Sequence, residues 1–276
     1  MSNSVTTVPA TECFDGDIEA IIQLAKTAGD AIMAIYQRDF TIVDKADASP
    51  LTEADLASHH CIVEGLARLT PGIPVLSEES DAAVLFERNN WSRYWLIDPL
   101  DGTKEFIKKN GEFTVNIALI DAGVPVLGIV YAPALETLYW GGRLRGAFKQ
   151  ITGQPATAIR VATPPAAAGT WRVVGSRSHQ SEAFKAFVAK LGQAEIVAMG
   201  SSLKLCLVAE GAADLYPRLG LTSEWDTAAA QAVVEAAGGL VLEHSGLTPL
   251  RYNTRPDTLL NPFFIVCATP QPLWSE

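Results

Sequence analysis

The sequence predicts an α/β protein whose N-terminal half is of α+β type and whose C-terminal half is of α/β type. Three observations carry the prediction. Two segments with helical periodicity come first, and a run of strand-like segments follows them. A stretch rich in Ala, Pro and Thr over residues 156–169 then interrupts the pattern. Beyond it, strands and helices alternate to the end. The boundary is expected there, with an N-terminal unit over 1–160 and a C-terminal unit over 161–276. At 276 residues and 48% hydrophobic content, the chain can bury a sizeable core in one large domain or two moderate ones.

Residues 1–14 read as a polar arm. Asp17 can cap a helix whose apolar positions Ile18, Ile21, Ile22, Ala25, Ala28 and Ile32 follow the 3.6-residue period. Residues 39–50 are polar, a loop or hairpin. A second helix is predicted over 52–69, with Leu56, Ile62, Val63, Leu66 and Leu69 inward and Pro71-Gly72 as its stop. A brief strand over 74–77 ends at Glu78 and Glu79. Residues 94–97 are another strand, leading into the turn considered below. Strands over 113–121 and 124–131 are joined at Asp121-Ala122-Gly123 as a hairpin, and strands over 137–140 and 146–149 extend that set. After the boundary come strands over 172–175, 195–199, 213–217, 240–243 and 264–268. The intervening helices are predicted over 180–191, 202–210 and 227–237.

Composition narrows the function. The net charge of −10 disfavours a general nucleic-acid binder, which needs a basic stripe, but not a small anionic substrate met through bound cations. Cys13, Cys61, Cys206 and Cys267 are far apart and form no C-x-x-C pair, which reads as buried free thiols in a reducing compartment. The first 20 residues lack Lys, Arg and a long apolar run, and no segment has 18 uninterrupted apolar residues. The expectation is a soluble cytoplasmic protein without an integral membrane segment, peripheral association being left open.

Chemistry concentrates in residues 95–106, W-L-I-D-P-L-D-G-T-K-E-F. A strand delivers Asp98 and Asp101 into a turn with Pro99 between them and Gly102 after them. Hard oxygen donors so placed suit Mg²⁺, and the Leu100 carbonyl is a spare ligand. The competing reading is an Asx-turn in which an Asp caps its own backbone. Two more acidic clusters lie at element ends: Glu78 with Glu79, alternatively a solvated turn, and Asp226, alternatively the N-cap of an Ala-rich helix. Together these acids would suffice for two ions sharing ligands, an arrangement that can clamp a phosphate and activate a water. Gly102-Thr103 can present bare amides at a helix start as a phosphate seat. Thr52 and Asp55 have capping-box spacing, so Asp55 serves either the helix or the site.

The motifs W-L-I-D-P-L-D-G-T, S-E-E-S (77–80), L-T-E-A-D (51–55) and E-W-D-T-A-A-A-Q-A (224–232) together resemble the inositol monophosphatase superfamily of Mg²⁺-dependent, lithium-sensitive phosphatases. They occur in the family's order and span most of the chain. D-P-L-D-G-T-K-E-F-I-K-K-N-G-E-F-T-V-N-I-A-L-I and K-A-D-A-S-P-L-T-E-A-D are more similar still to its bacterial 3'(2'),5'-bisphosphate nucleotidase branch. The resemblance implies a layered αβαβα sandwich. It implies first-ion ligands at Glu78, Asp98 and the Leu100 carbonyl, and second-ion ligands at Asp98, Asp101 and Asp226, for two Mg²⁺ ions with a third left open. It makes Thr103 and Asp55 the pair that helps deprotonate the attacking water, with Glu78 beside them. On the substrate side it implies Gly102, Thr103, Asp226, His179, Ser201, Lys204 and Arg218; the last four read alternatively as a surface His, a helix cap and solvated cations. The implied activity is hydrolysis of adenosine 3',5'-bisphosphate to AMP and phosphate, with 3'-phosphoadenylyl sulfate as a related substrate, in sulfate assimilation. The rivals are an inositol or sugar phosphate phosphatase and a non-catalytic nucleotide-binding regulator. The expected partner is a small phosphorylated nucleotide, and the chain is expected to act as a monomer or homodimer.

Overall fold

The computed structural model describes residues 16–40, 42–44, 50–166, 169–175, 181–271 and 274. Helix α1 (Ile18–Tyr36) starts where Asp17 accepts hydrogen bonds from the amides of Glu19 and Ala20, and buries Ile21, Ile22, Ala25, Ala28 and Ile32. Strands β1 (Ile42–Asp44) and β2 (Pro50–Thr52) form a small antiparallel pair. Helix α2 (Glu53–Leu69) packs on α1. Its inner face is made of Ala54, Asp55, Ser58, Ile62, Gly65 and Leu66, so Leu56 and Leu69, expected inward, are exposed at 40% and 45%. The period placed the stripe too wide: small and polar side chains occupy the side that meets α1 and the site.

The large sheet contains β3 (Val75–Ser77) and, after the short helix α3 (Ala82–Glu87), β4 (Arg93–Asp101). Helix α3 buries no side chain completely, which is why no apolar pattern announced it. Helix α4 (Thr103–Ile107) leads to β5 (Thr114–Asp121), β6 (Val124–Ala132), β7 (Thr137–Gly142), β8 (Gly146–Ile151) and the two-residue β9 (Thr157–Ala158) inside the Ala/Pro/Thr stretch. Strands β3 and β4 run parallel; from β4 onward the sheet is an antiparallel meander in chain order.

A second sheet, ordered β11-β10-β12-β14-β13, holds β10 (Trp171–Gly175), then, after α5 (Glu182–Ala189), β11 (Ala194–Ala198). Helix α6 (Leu203–Ala209) precedes β12 (Leu215–Arg218), and α7 (Ala228–Ala236) precedes β13 (Leu240–Glu243) and β14 (Phe264–Cys267).

Three apolar cores give the layers. One lies between α1, α2 and one face of the large sheet, and includes Ile32, Ile62, Trp95, Ile117 and Ile129. The next lies between its other face, α6, α7 and the small sheet, and includes Leu96, Ala118, Val208, Val233 and Val266. The third covers the outer face of the small sheet with Phe184 and Phe187 of α5 and Trp274. The result is the αβαβα sandwich expected from the resemblance. Helix α7 meets β6 so closely that a Cβ on Gly128 would lie 2.0 Å from the Ala229 carbonyl oxygen. Cys206 and Cys267 are buried free thiols, Cys61 is half-buried, and Cys13 lies outside the described residues. No helix among the described residues is long and apolar enough to cross a membrane.

Candidate active site

Parallel pairing brings the C-terminal ends of β3 and β4 to one edge, where the Glu78 amide donates to the Ile97 carbonyl (3.2 Å). Strand β4 runs on through the Asp-Pro-Leu-Asp segment, beyond the end predicted at 97, with a register shift between Asp98 and Asp101. The Leu100 amide donates to Asp98 Oδ1 (3.0 Å), so the local turn exists as well. It shapes the segment without removing the carboxylate from the site. Helix α2 fixes the same turn from below, with Ser58 Oγ donating to the Pro99 carbonyl (2.7 Å). Gly102 closes it at φ 92°, a left-handed conformation that costs glycine little. It also starts α4 without a side-chain cap.

Asp226 arrives from the segment between β12 and α7. It is not the N-cap of α7. It is the third residue of a capping box in the 3₁₀ turn Glu224–Asp226, where its Oδ2 accepts from the Ser223 amide (2.8 Å). Carboxylate oxygens of Asp98, Asp101 and Asp226 lie within 4.8 Å of one another, with Asp98 buried and the other two half-buried. Glu78 is not in that trio but lines the adjoining cavity of about 400 Å³, with Asp101, Gly102, Thr103, Thr222 and Asp226. A second pocket of about 150 Å³ shares Asp101 and Asp226 and adds Ser201, Ser202, Lys204 and Arg218.

The electrostatics fit a cation. Burial, followed by repulsion from Glu78, Asp101, Asp226 and Asp55, raises the Asp98 carboxyl well above the ordinary range. Burial holds Asp101 at about 6 despite the nearby Lys204 and the Ser202 amide, and Asp226 at about 8, Asp101 adding to the latter. Such acids are costly together unless a positive charge joins them, and oxygen-only donors select a hard ion such as Mg²⁺.

A pH dependence follows for the cation-free protein. Each carboxyl binds its proton more tightly folded than unfolded, so stability present at low pH is lost as pH rises from about 4 through about 8. Melting in EDTA is expected to be roughly 5–10 °C lower at pH 8.5 than at pH 5. Saturating Mg²⁺ should remove most of the difference; equal melting temperatures in EDTA would show that the trio is not under this strain.

Asp55 caps α2 and also meets Thr103. Its Oδ2 accepts from the Thr52 amide (2.7 Å) and hydroxyl (2.6 Å), and Thr103 Oγ1 donates to its Oδ1 (3.2 Å). Thr103 Oγ1 is also 3.4 Å from the Leu100 carbonyl oxygen. On the expected substrate side, Lys204 Nζ donates to the Ser201 carbonyl (2.9 Å), and Arg218 donates to the Leu221 carbonyl (2.8 Å). The Ser202 amide beside them is taken by Asp101. His179 lies outside the described residues. Glu105, Ser202 and Thr222 line these pockets without having been singled out in sequence.

Residues 15–272 match the model of the inositol monophosphatase family. The chain is 50% identical over 251 residues to the 3'(2'),5'-bisphosphate nucleotidase CysQ of Escherichia coli, covering 90% of this chain and 98% of that one. It is 46% identical over 231 residues to the enzyme of the same name from Buchnera aphidicola, covering 83% and 85%. The crystal structure of CysQ from Bacteroides thetaiotaomicron, a bacterial member of the inositol monophosphatase family, superposes with a TM-score of 0.79 at 42% identity, covering 92% of this chain and 97% of that one.

Proposed function

The chain belongs to the inositol monophosphatase family, and from that premise we propose that it is an Mg²⁺-dependent phosphomonoesterase that hydrolyses adenosine 3',5'-bisphosphate to AMP and phosphate. The observation that carries the reading is the convergence of Asp98, Asp101 and Asp226, whose carboxylate oxygens lie within 4.8 Å of one another beside a cavity that Asp101 and Asp226 line. Its substrate range extends to 3'-phosphoadenylyl sulfate, which bears the same 3'-phosphate, and its place is sulfate assimilation. Asp98, Asp101, Asp226, Glu78 and the Leu100 carbonyl would hold two Mg²⁺ ions. When bound, Mg²⁺ neutralises phosphate charge and lowers the pKa of water.

The chain's own residues do the rest. The uncapped start of α4, at Gly102 and Thr103, faces the cavity and seats the phosphate being cleaved. Thr103, hydrogen-bonded to Asp55, orients the attacking water and draws off its proton. The oxygen of that water forms the new bond to phosphorus, the bond from phosphorus to the 3'-oxygen breaks, and the departing oxygen takes up a proton. Lys204 and Arg218 supply positive charge beside Asp101 and Asp226 for the rest of the nucleotide.

One assay tests the reading. With Mg²⁺, kcat/KM for adenosine 3',5'-bisphosphate should exceed that for inositol 1-phosphate by one to two decades, since one charge-assisted contact is worth about 1.5–3 kcal/mol. Replacing Mg²⁺ with Ca²⁺ should abolish turnover, because the larger ion adopts looser geometry. Preference for inositol 1-phosphate would move the chain to the sugar-phosphate branch, and no turnover of either would make it a binding protein.

A further inference from the structure

A single hydroxyl ties β5, the strand beside the acid turn, to the start of α6. Thr114 and Asn116 are two apart on β5, so their side chains leave the same face of the sheet. In the ladder Asn116 stands opposite Asp98 and Thr114 opposite Asp101, on either side of the register shift. Ser202, just before α6, places its Oγ 2.8 Å from Asn116 Oδ1 and 2.8 Å from Thr114 Oγ1. Its backbone amide donates to Asp101 Oδ2 (2.5 Å). All three side chains are buried, none more than 2% exposed.

Core packing does not account for this set. The same face of β5 continues with Ala118 and Ile120 in the apolar layer between the sheets. Asn116 also keeps a buried Nδ2 without a hydrogen-bond partner among the described residues, an arrangement that packing alone disfavours. The preceding residue, Ser201, sits at φ 44°, a left-handed conformation unusual outside glycine. Together these features turn the backbone so that the 202 amide meets Asp101.

We propose that Ser202, anchored through its hydroxyl to Thr114 and Asn116, is the positioning residue that aims Asp101 at a divalent cation. The proposal rests on the phosphatase reading above. With Oδ2 fixed by the Ser202 amide, the Asp101 carboxylate cannot rotate freely, and its orientation is set from the C-terminal half of the chain. Partners that orient metal ligands in this way typically change metal affinity 10–100-fold when removed.

The test is Mn²⁺ binding, followed by the electron paramagnetic resonance signal of the free ion, in the wild type, Ser202→Ala and Asn116→Val. The alanine variant keeps the 202 amide but frees it from its anchor. One bound Mn²⁺ should be weakened about tenfold or more and the other left within a factor of two, with turnover recovering at high Mg²⁺. Asn116→Val should show the same selective loss, and it carries the test should the serine variant fail to fold. Unchanged Mn²⁺ affinity, with or without lower melting in EDTA, would overturn the proposal and leave Ser202 a structural link; so would equal weakening of both ions. Wild-type protein that binds no Mn²⁺ would instead overturn the phosphatase reading itself.

Discussion

Asp98→Asn is expected to remove Mg²⁺-dependent turnover while leaving the fold intact, and to make the cation-free protein more stable at pH 8. Both effects have one cause. Asp98 is buried among Glu78, Asp101, Asp226 and Asp55, whose charges add to the desolvation that already disfavours its ionised form. An amide has the same shape and can still accept the Leu100 amide hydrogen bond through Oδ1, so the turn is kept. It cannot supply the shared negative charge. Loss of several kcal/mol of charge stabilisation at the phosphate corresponds to a fall of about 10³-fold or more in kcat. Melting in EDTA at pH 8 should rise, since one buried like charge has been taken from the group. A folded Asp98→Asn protein with near wild-type turnover would refute the metal assignment. Joint loss of activity and EDTA stability would make Asp98 chiefly a turn former.

What could be read in advance divides by range along the chain. Asp98 and Asp101 were legible because strand, turn and acids lie within a few residues, and the turn chemistry of Pro99 and Gly102 is local. The helix start at Asp17 and the sheet meander were legible for the same reason: caps and alternation are near-neighbour effects. Asp226 was ambiguous because an Asp before a helix usually caps it, and only the tertiary fold reveals a carboxylate turned toward the β4 edge. Asp55 posed a false choice, since one oxygen serves Thr52 and the other Thr103. Thr114, Asn116 and Ser202 gave little signal. Polar residues on the inward face of an otherwise apolar strand were a clue, but their partner lies 86 or more residues away. The charge of Lys204 was legible but its setting was not: its ammonium donates to the Ser201 carbonyl, close enough to Asp101 to favour that acid's charged form. The helical period misplaced Leu56 and Leu69 because it cannot tell which part of an apolar stripe the neighbouring helix will cover.

Thr103→Val should lower kcat about 10²-fold or more while leaving Mn²⁺ affinity and melting temperature nearly unchanged. The hydroxyl has one proton, and the acceptors near it are Asp55 Oδ1 at 3.2 Å and the Leu100 carbonyl oxygen at 3.4 Å. Donating that proton to Asp55 leaves its lone pairs toward the cavity, where they can accept from a water. Asp55 is held for this by the two bonds from Thr52, so it cannot swing away, and its burial keeps competing water out. Valine fills the same volume without the hydroxyl, which separates the proton path from the packing. Thr103→Ser keeps the hydroxyl without the methyl and should retain most of the rate. The capping box survives either change because it runs through the other Asp55 oxygen, so α2 should not unravel. If the valine variant instead loses Mn²⁺ affinity and regains full rate at saturating metal, Thr103 braces the Leu100 carbonyl as a ligand. The proton path would then have to start from another carboxylate on the cavity wall, outside the trio and the helix cap, with Glu78 the first candidate.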